Sequence, residues 1–282
     1  MKLRRKRNKV TLISSQSDEP TLDILMLAEA IRRMYPDMEV TVLSGKMKRN
    51  LHGAFAFFGS LLSQMCHIAV SSAVVIEGYC VSVSLLTHKK HTTVLQMWHA
   101  LEAIKKFSYQ VIDTPAGYSR AFAYAMRMHR NYDYVLCPAK ATAPYFCAAF
   151  DVDESKLVYL GLPRIDHISS VMSADEATDP RAGIEAMYPI LKGKDRRTVL
   201  YAPTFRDGRP TDVEGLLREM DFERFNVVVK LHPSDRSDIA FRPPYAERLI
   251  VDRAYDTIDW FSACDVVITD YSGLAVEAAI AK

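Results

Sequence analysis

Short, almost wholly apolar runs alternate along this chain with longer stretches of helical periodicity. Val10–Ser14 predicts a first strand. Thr21–Met34 then carries apolar residues at Leu22, Ile24, Leu25, Leu27 and Ile31, the spacing of one helix face. Thr21 offers a hydroxyl N-cap after Pro20, and Pro36 stops the helix. Glu39–Leu43 predicts a second strand. Residues 51–66 read as an apolar helix bearing Phe55, Phe57, Phe58, Leu61, Leu62 and Met65, and Ala73–Glu77 and Thr93–Met97 read as strands. A polar-to-helical stretch runs to Arg130. Tyr134–Leu136, Thr142–Phe150 and Leu157–Leu160 follow as strand, helix and strand. Residues 167–196 are polar, with an acidic cluster at Asp175–Asp179 and one helix at Arg181–Leu191. The alternation then resumes with strands at Thr198–Tyr201, Asn226–Leu231, Leu249–Val251 and Val266–Thr269. Helices are predicted at Val213–Met220, Thr257–Cys264 and Leu274–Ala281.

Short apolar strands separated by helices imply parallel sheets covered on both faces. The expected class is α/β with two Rossmann-like domains, residues 1–166 and 197–282, joined by a linker at 167–196. Such sheets bind ligands outside the carboxyl ends of their strands, so the polar residues just after each strand are the candidates for chemistry.

Composition narrows the classes. Lys and Arg number 36 against 34 Asp and Glu, a net charge of +2 that argues against a bulk nucleic-acid binder. Cys66, Cys80, Cys137, Cys147 and Cys264 are scattered and form no CxxC pair. Neither a disulfide framework nor a zinc site is expected, and a reducing compartment fits. The amino terminus, Met-Lys-Leu-Arg-Arg-Lys-Arg, lacks the apolar core of a secretory signal. Its cations suit an anionic lipid surface and equally a solvated terminus. The apolar stretch 54–86 is interrupted by Gln64, His67 and Glu77 and is read as a buried or interfacial helix followed by a core strand, not a span. Asp151-Val152-Asp153 falls between a helix and a strand and reads as turn chemistry. No metal ligand set and no cofactor are expected.

Four strand ends carry reactive groups. Gln96-Met97-Trp98-His99-Ala100 delivers a histidine, which titrates near neutral pH and suits a general base. Val227–Val229 runs into Lys230-Leu231-His232-Pro233, predicting two cation-capable groups on one face, where they would stabilise phosphate charge. Tyr201-Ala202-Pro203-Thr204-Phe205-Arg206 brings a guanidinium off a strand end, able to bind phosphate oxygens bidentately or to pair with Asp207. Thr269-Asp270-Tyr271-Ser272-Gly273 is a short turn opening a helix, an anion site by its free N–H groups and dipole, or simply a cap.

Taken together these segments, with Gly161-Leu162-Pro163-Arg164-Ile165-Asp166, resemble the CDP-glycerol glycerophosphotransferase family of teichoic-acid primases and polymerases. Its marks are Q-x-WHG, G-x-PR-x-D, YAPTFR, K-x-HP and TDYSS, and the match covers roughly residues 70 to 280 in order and spacing. The resemblance implies a GT-B-like fold, two Rossmann-like domains facing a central cleft. It implies transfer of glycerol phosphate or ribitol phosphate from CDP-glycerol or CDP-ribitol to a polyprenyl-diphosphate-linked acceptor, releasing CMP, on the inner face of the plasma membrane. His99 and His232 are then the essential histidines. Arg206, Lys230, Thr269, Asp270, Ser272 and Gly273 lie at the donor's diphosphate and nucleotide, and Trp98, Arg164 and Asp166 line the cleft.

Three departures stand out. Ala100 replaces a Gly and would be strained if that position needs positive φ. Phe107-Ser108 stands where the family tends to have a Gly, and Gly273 replaces the second Ser of TDYSS. The chain ends within the helix after that motif, where family members continue, so the second domain is expected to be incomplete at its C-terminus. A nucleotide-sugar glycosyltransferase on the same fold and an inactive membrane-associated nucleotide-binding module are the alternatives. Neither the donor alcohol, nor primase against polymerase, nor oligomeric state is legible.

Overall fold

The computed structural model describes residues 8–45, 51–175, 178–193, 195–204, 212–232, 235 and 238–282, without the side chains of 51–57. The chain divides into two units, Met1–Arg164 and Ile165–Lys282.

In the first unit the elements are β1 (Lys9–Ser14), α1 (Leu22–Met34), β2 (Glu39–Ser44), α2 (Leu51–Ile68), β3 (Ala73–Glu77) and α3 (Val81–Leu85). They continue as β4 (Thr93–Gln96), α4 (Arg120–Ala125), β5 (Tyr134–Cys137), α5 (Ala143–Phe150) and β6 (Leu157–Tyr159), and α6 (Pro163–Met172) crosses the boundary. Six strands form one sheet in the order β2-β1-β3-β4-β5-β6. Every pair is parallel, with Val10 level with Ala73 and Ala73 with Thr93. Successive side chains leave opposite faces of a strand, and the core divides accordingly. Ile13, Val74, Ile76 and Val135 pack with Phe146 and Phe150 of α5, whereas Leu12, Val75 and Leu136 pack with Ile24 and Ala28 of α1. Each fully buried aliphatic or aromatic side chain contributes about 1.5–3 kcal/mol.

The second unit holds α7 (Pro180–Met187), β7 (Arg197–Tyr201), α8 (Val213–Glu219), β8 (Phe225–Val229), β9 (Leu249–Val251), α9 (Trp260–Ala263), β10 (Val266–Ile268) and α10 (Leu274–Ala281). Its four strands are parallel in the order β10-β7-β8-β9. Both sheets use the same device at a strand start. Asp133, just before β5, accepts the Val94 N–H of β4 at 2.7 Å, and Asp265, just before β10, accepts the Thr198 N–H of β7 at 2.7 Å.

Two expectations are corrected, and residues 167–196, expected as a linker, fall within the second unit. There the Tyr188 hydroxyl donates to Asp252 at 2.7 Å and the Tyr188 ring lies 5.8 Å from that of Trp260. The helix expected over Arg181–Leu191 stops at Met187, since Pro189 drives Tyr188 out of helical geometry. The stretch running to Arg130 is helical only in α4 and a short 3-10 turn at Ser108–Val111. Asp151 is a left-handed helix cap and Asp153 accepts the Ser155 N–H at 2.9 Å, which is turn chemistry.

Strand order reverses between β1 and β3 in the first sheet and between β7 and β10 in the second. These are the topological switch points at which a doubly wound sheet opens a crevice.

Candidate active site

In the first unit the site is built on the turn after β4. Gln96 is fully buried there. Its carboxamide oxygen accepts the Gly78 N–H at 3.2 Å and the Trp98 N–H at 2.9 Å. Its amide nitrogen donates to the Gly78 carbonyl at 2.9 Å and the Tyr132 hydroxyl at 3.2 Å. Trp98 sits at φ 59°, in the left-handed region that an L-residue enters at a cost of about 1–2 kcal/mol. Ala100 is outside that region, so the strain expected at Ala100 falls on Trp98 instead. The indole lies between the Phe107 ring, stacked at 5.1 Å, and the Phe150 edge at 5.2 Å, with the His99 ring 4.2 Å away. Ser108, where the family's Gly was expected, is itself left-handed at φ 60°.

His99 is half-buried, and its Nδ1 is enclosed without a hydrogen-bond partner among the described residues. Burial first, then the nearby Arg164 guanidinium, hold its pKa down at about 4, with Asp23 opposing. The imidazole is therefore neutral at ordinary pH, the form a base must have. Arg164 is fixed by Asp23, a fully buried residue of α1. The Arg164 backbone N–H donates to Asp23 Oδ1 at 2.8 Å and Nε to Oδ2 at 2.7 Å, and Nη2 also donates to Oδ2. Arg164 is thus anchored beside His99, whereas Asp166, two residues on in α6, is exposed. Glu77, at the end of β3, is buried with its pKa raised by burial, and it accepts the Thr21 hydroxyl at 2.8 Å.

In the second unit the segments after β7 and β10 meet at the switch point. The Thr269 hydroxyl donates to the Ala202 carbonyl at 2.8 Å. Asp270 Oδ1 accepts the Thr204 N–H at 2.8 Å and the Thr204 hydroxyl as well. Ser272 Oγ accepts the Leu274 N–H at 3.3 Å, while Gly273 has ordinary helical geometry at φ −58° and opens α10. Arg206 lies outside the described residues.

Lys230 and His232 do not share a face, because β8 ends at Val229 and the strand alternation ends with it. Lys230 turns inward. Its ammonium donates to Asp252 at 2.9 Å and to the Tyr255 carbonyl at 2.5 Å, with 9% of the side chain exposed. Asp252 also accepts Trp260 Nε1 at 2.9 Å and the backbone N–H groups of Ala254 and Tyr255. Despite its burial, these donors, Lys230 foremost, hold its pKa down at about 2. Lys230, expected at the donor's diphosphate, forms a buried ion pair with Asp252 beside the loop. His232 is exposed, and its carbonyl accepts the Asp235 N–H at 2.7 Å.

Sequence reasoning missed Asp23, Asp252, Thr204 and the bridging function of Gln96. Asp23 left one signal, a carboxylate in an otherwise apolar helix face.

The sequence profile of the CDP-Glycerol:Poly(glycerophosphate) glycerophosphotransferases matches residues 1–282. The teichoic acid ribitol-phosphate primase of Bacillus spizizenii is 29% identical over 98% of this chain and 71% of its own length. The teichoic acid glycerol-phosphate primase of Bacillus subtilis is 26% identical over 90% of this chain, which spans 62% of that protein. The teichoic acid poly(ribitol-phosphate) polymerase of Bacillus spizizenii is 28% identical, and the chain spans 36% of its length. Among solved structures, the wall teichoic acid polymerase TagF superposes with a TM-score of 0.65 at 20% identity, over 98% of this chain and 69% of TagF. The UDP-GlcNAc 2-epimerase of Neisseria meningitidis gives 0.61 at 11% identity, over 94% and 78%. The fold is therefore α/β and GT-B-like. On the match along its full length, this chain belongs to the CDP-glycerol:poly(glycerophosphate) glycerophosphotransferase family of enzymes.

Proposed function

We propose that this chain transfers glycerol phosphate or ribitol phosphate from the corresponding CDP-alcohol to a hydroxyl of a lipid-linked acceptor in teichoic-acid-type polymer synthesis. The acceptor oxygen attacks the phosphorus that bears the alcohol. The bond from that phosphorus to the bridging oxygen breaks, CMP leaves with the bridging oxygen, and the hydroxyl proton passes to His99. The observation that carries this reading is a neutral imidazole beside the anchored Arg164, after the central strand β4. Its enclosed Nδ1 leaves Nε2 as the nitrogen that takes the proton.

The donor's diphosphate is assigned to the switch point of the second sheet. Ser272 and the N–H groups opening α10 meet the charge there, with Thr269 and Asp270 bracing the loop, His232 exposed nearby in sequence after β8, and Arg206 as the guanidinium. Gly273 keeps that edge open, and Trp98 and Asp166 belong to the acceptor side. Lys230 acts as a positioning residue through Asp252. A peripheral place on the cytoplasmic face of the membrane completes the proposal. Among the described residues no helix is long and apolar enough to cross a membrane. The length of α2 carries no Asp, Glu, Lys or Arg, and it exposes Phe58 and Leu62 one turn apart.

The test is CMP release with CDP-glycerol, CDP-ribitol and UDP-sugars against a lipid-linked acceptor. CMP from a CDP-alcohol, lowered at least ~10²-fold in His99→Ala with donor binding retained, supports the reading. Release of UDP instead, or wild-type turnover in His99→Ala, removes it.

A further inference from the structure

Four left-handed residues of the first unit are tied together by one buried hydrogen-bond chain. Gly78 (φ 108°) and Trp98 (φ 59°) are both held by the Gln96 carboxamide. Gln96 passes to the Tyr132 hydroxyl at 3.2 Å, Tyr132 to His129 Nδ1 at 2.9 Å, and His129 Nε2 to the Ser108 hydroxyl; His129 and Ser108 each have φ 60°. Left-handed non-glycine residues cost of order 1–3 kcal/mol each and persist only where their surroundings over-determine them.

The donors run in one consistent direction. Backbone N–H groups can only donate and a backbone carbonyl can only accept, so the contacts to Gly78 and Trp98 fix which end of the Gln96 amide is which. Its nitrogen then donates to Tyr132 Oη, the Tyr132 proton goes to His129 Nδ1, and the His129 Nε2 proton goes to Ser108 Oγ. This order requires a neutral His129, and burial holds its pKa down at about 3. All four hydrogen-bonding positions of the Gln96 amide are filled, three of them by Gly78 and Trp98, just beyond β3 and β4, and the fourth by Tyr132.

We propose that Gln96 is a positioning residue for the transfer reaction: by clamping Gly78 and Trp98 and leaning on Tyr132 and His129, it holds the strained turn that presents His99. The inference rests on the assignment of His99 as base. Only glutamine serves at this place. Asparagine is one methylene too short to span both strand ends, and a glutamate carboxylate has no proton for the Gly78 carbonyl or for Tyr132.

The experiment measures kcat for CMP release, CDP-glycerol affinity by calorimetry, and folding by circular dichroism, in Gln96→Glu, Gln96→Met, Tyr132→Phe, His99→Ala and the double variant Gln96→Met/His99→Ala. Gln96→Met and Gln96→Glu are expected to lower kcat at least tenfold with donor affinity within threefold of wild type. Tyr132→Phe, which keeps the ring and removes only the relay hydroxyl, is expected to lower kcat about threefold. The double variant should be no slower than His99→Ala alone, because Gln96 acts through that imidazole. A kcat loss in Gln96→Met that multiplies with that of His99→Ala overturns the proposal, as does wild-type kcat in Gln96→Met. If Gln96→Met and Gln96→Glu fail to fold, Tyr132→Phe decides by the same two criteria, its own kcat and its additivity with His99→Ala. Wild-type turnover in His99→Ala would instead overturn the parent assignment, so the two failures are distinct.

Discussion

At the scale of single residues, two histidines carry a pH-dependent share of the stability. His99 and His129 have pKa values held down at about 4 and about 3 against an ordinary 6.5. Between 6.5 and those values the unfolded chain binds protons that the folded chain refuses. Their contribution to stability is therefore complete above pH 6.5 and is lost as pH falls toward 4. Urea unfolding followed from pH 7 to pH 4.5 should show a steady decline that is shallower in His99→Gln; equal slopes in the two proteins would contradict the assigned depression. For the same reason kcat/KM should stay flat from pH 7 to about pH 5 and fall with an acidic limb near pH 4, the value held by burial and Arg164. A limb near 6.5 would show His99 solvated in the working enzyme. Lys230 and Asp252 make a second residue-scale contrast. Removing Asp252 strands a buried ammonium, whereas removing Lys230 leaves Asp252 with Trp260, Tyr188 and two backbone donors. Asp252→Ala should cost about 3–5 kcal/mol in thermal unfolding and Lys230→Met clearly less. Equal losses would mean that the pair, and not the surrounding donors, carries the loop.

At the scale of elements, side chains extend the β7–β10 pairing into the loops of the second sheet's switch point. Thr204 and Asp270 are 66 positions apart and lie on different strand ends, so Asp270→Ala frees both loops at once. CDP-glycerol affinity should fall about tenfold, as expected when a charge-assisted bond of roughly 1.5–3 kcal/mol is lost from the loop geometry. Calorimetry showing unchanged affinity would take the donor away from this edge. Helix α2 makes a separate claim. Replacing Phe58 and Leu62, which are 60% and 47% exposed, by Glu removes apolar surface and adds charge. Co-sedimentation with anionic vesicles should drop severalfold while CMP release with a water-soluble acceptor stays intact, and retention on vesicles would clear α2 of that role. These elements also show what a sequence can and cannot tell. The strands were legible because burial on both faces leaves a local, unbroken apolar run, as in Val227–Val229. The environment of Lys230 was not legible, since its partner comes 22 positions later and its face depends on where β8 ends. Asp23 was hidden for the same reason, its Arg164 lying 141 positions away. Residues 167–196 looked like a linker because a half-exposed helix needs few apolar residues, here chiefly Ile184, to dock. The left-handed turn at Trp98 was not legible, because the Gln96 carboxamide that accepts its N–H is itself held by Gly78 and Tyr132, 18 and 36 positions away.

At the scale of the whole molecule, the proposal draws residues from two units that each fold around a sheet of their own. The assigned base belongs to the first unit and the assigned diphosphate groups to the second. Donor alone should therefore be felt by only one of them. At a free concentration one hundred times its dissociation constant, a ligand stabilises the state that binds it by about 2.7 kcal/mol, roughly a hundredfold slowing of exchange for amides that exchange through that unit's opening. Hydrogen exchange with saturating CDP-glycerol should show such slowing at 202–204 and 269–274, with the β7 and β8 amides following because they share one core around Val227 and Val229. The amides of β1, β3 and β4 should keep their rates, since that core is closed by α1 and α5 and owes nothing to the donor. Slowing around Trp98 and His99 with no change at 269–274 would reverse the assignment and place the nucleotide on the first sheet. Equal slowing in both units would mean that they open as one body, so that donor binding at either edge is felt throughout the chain.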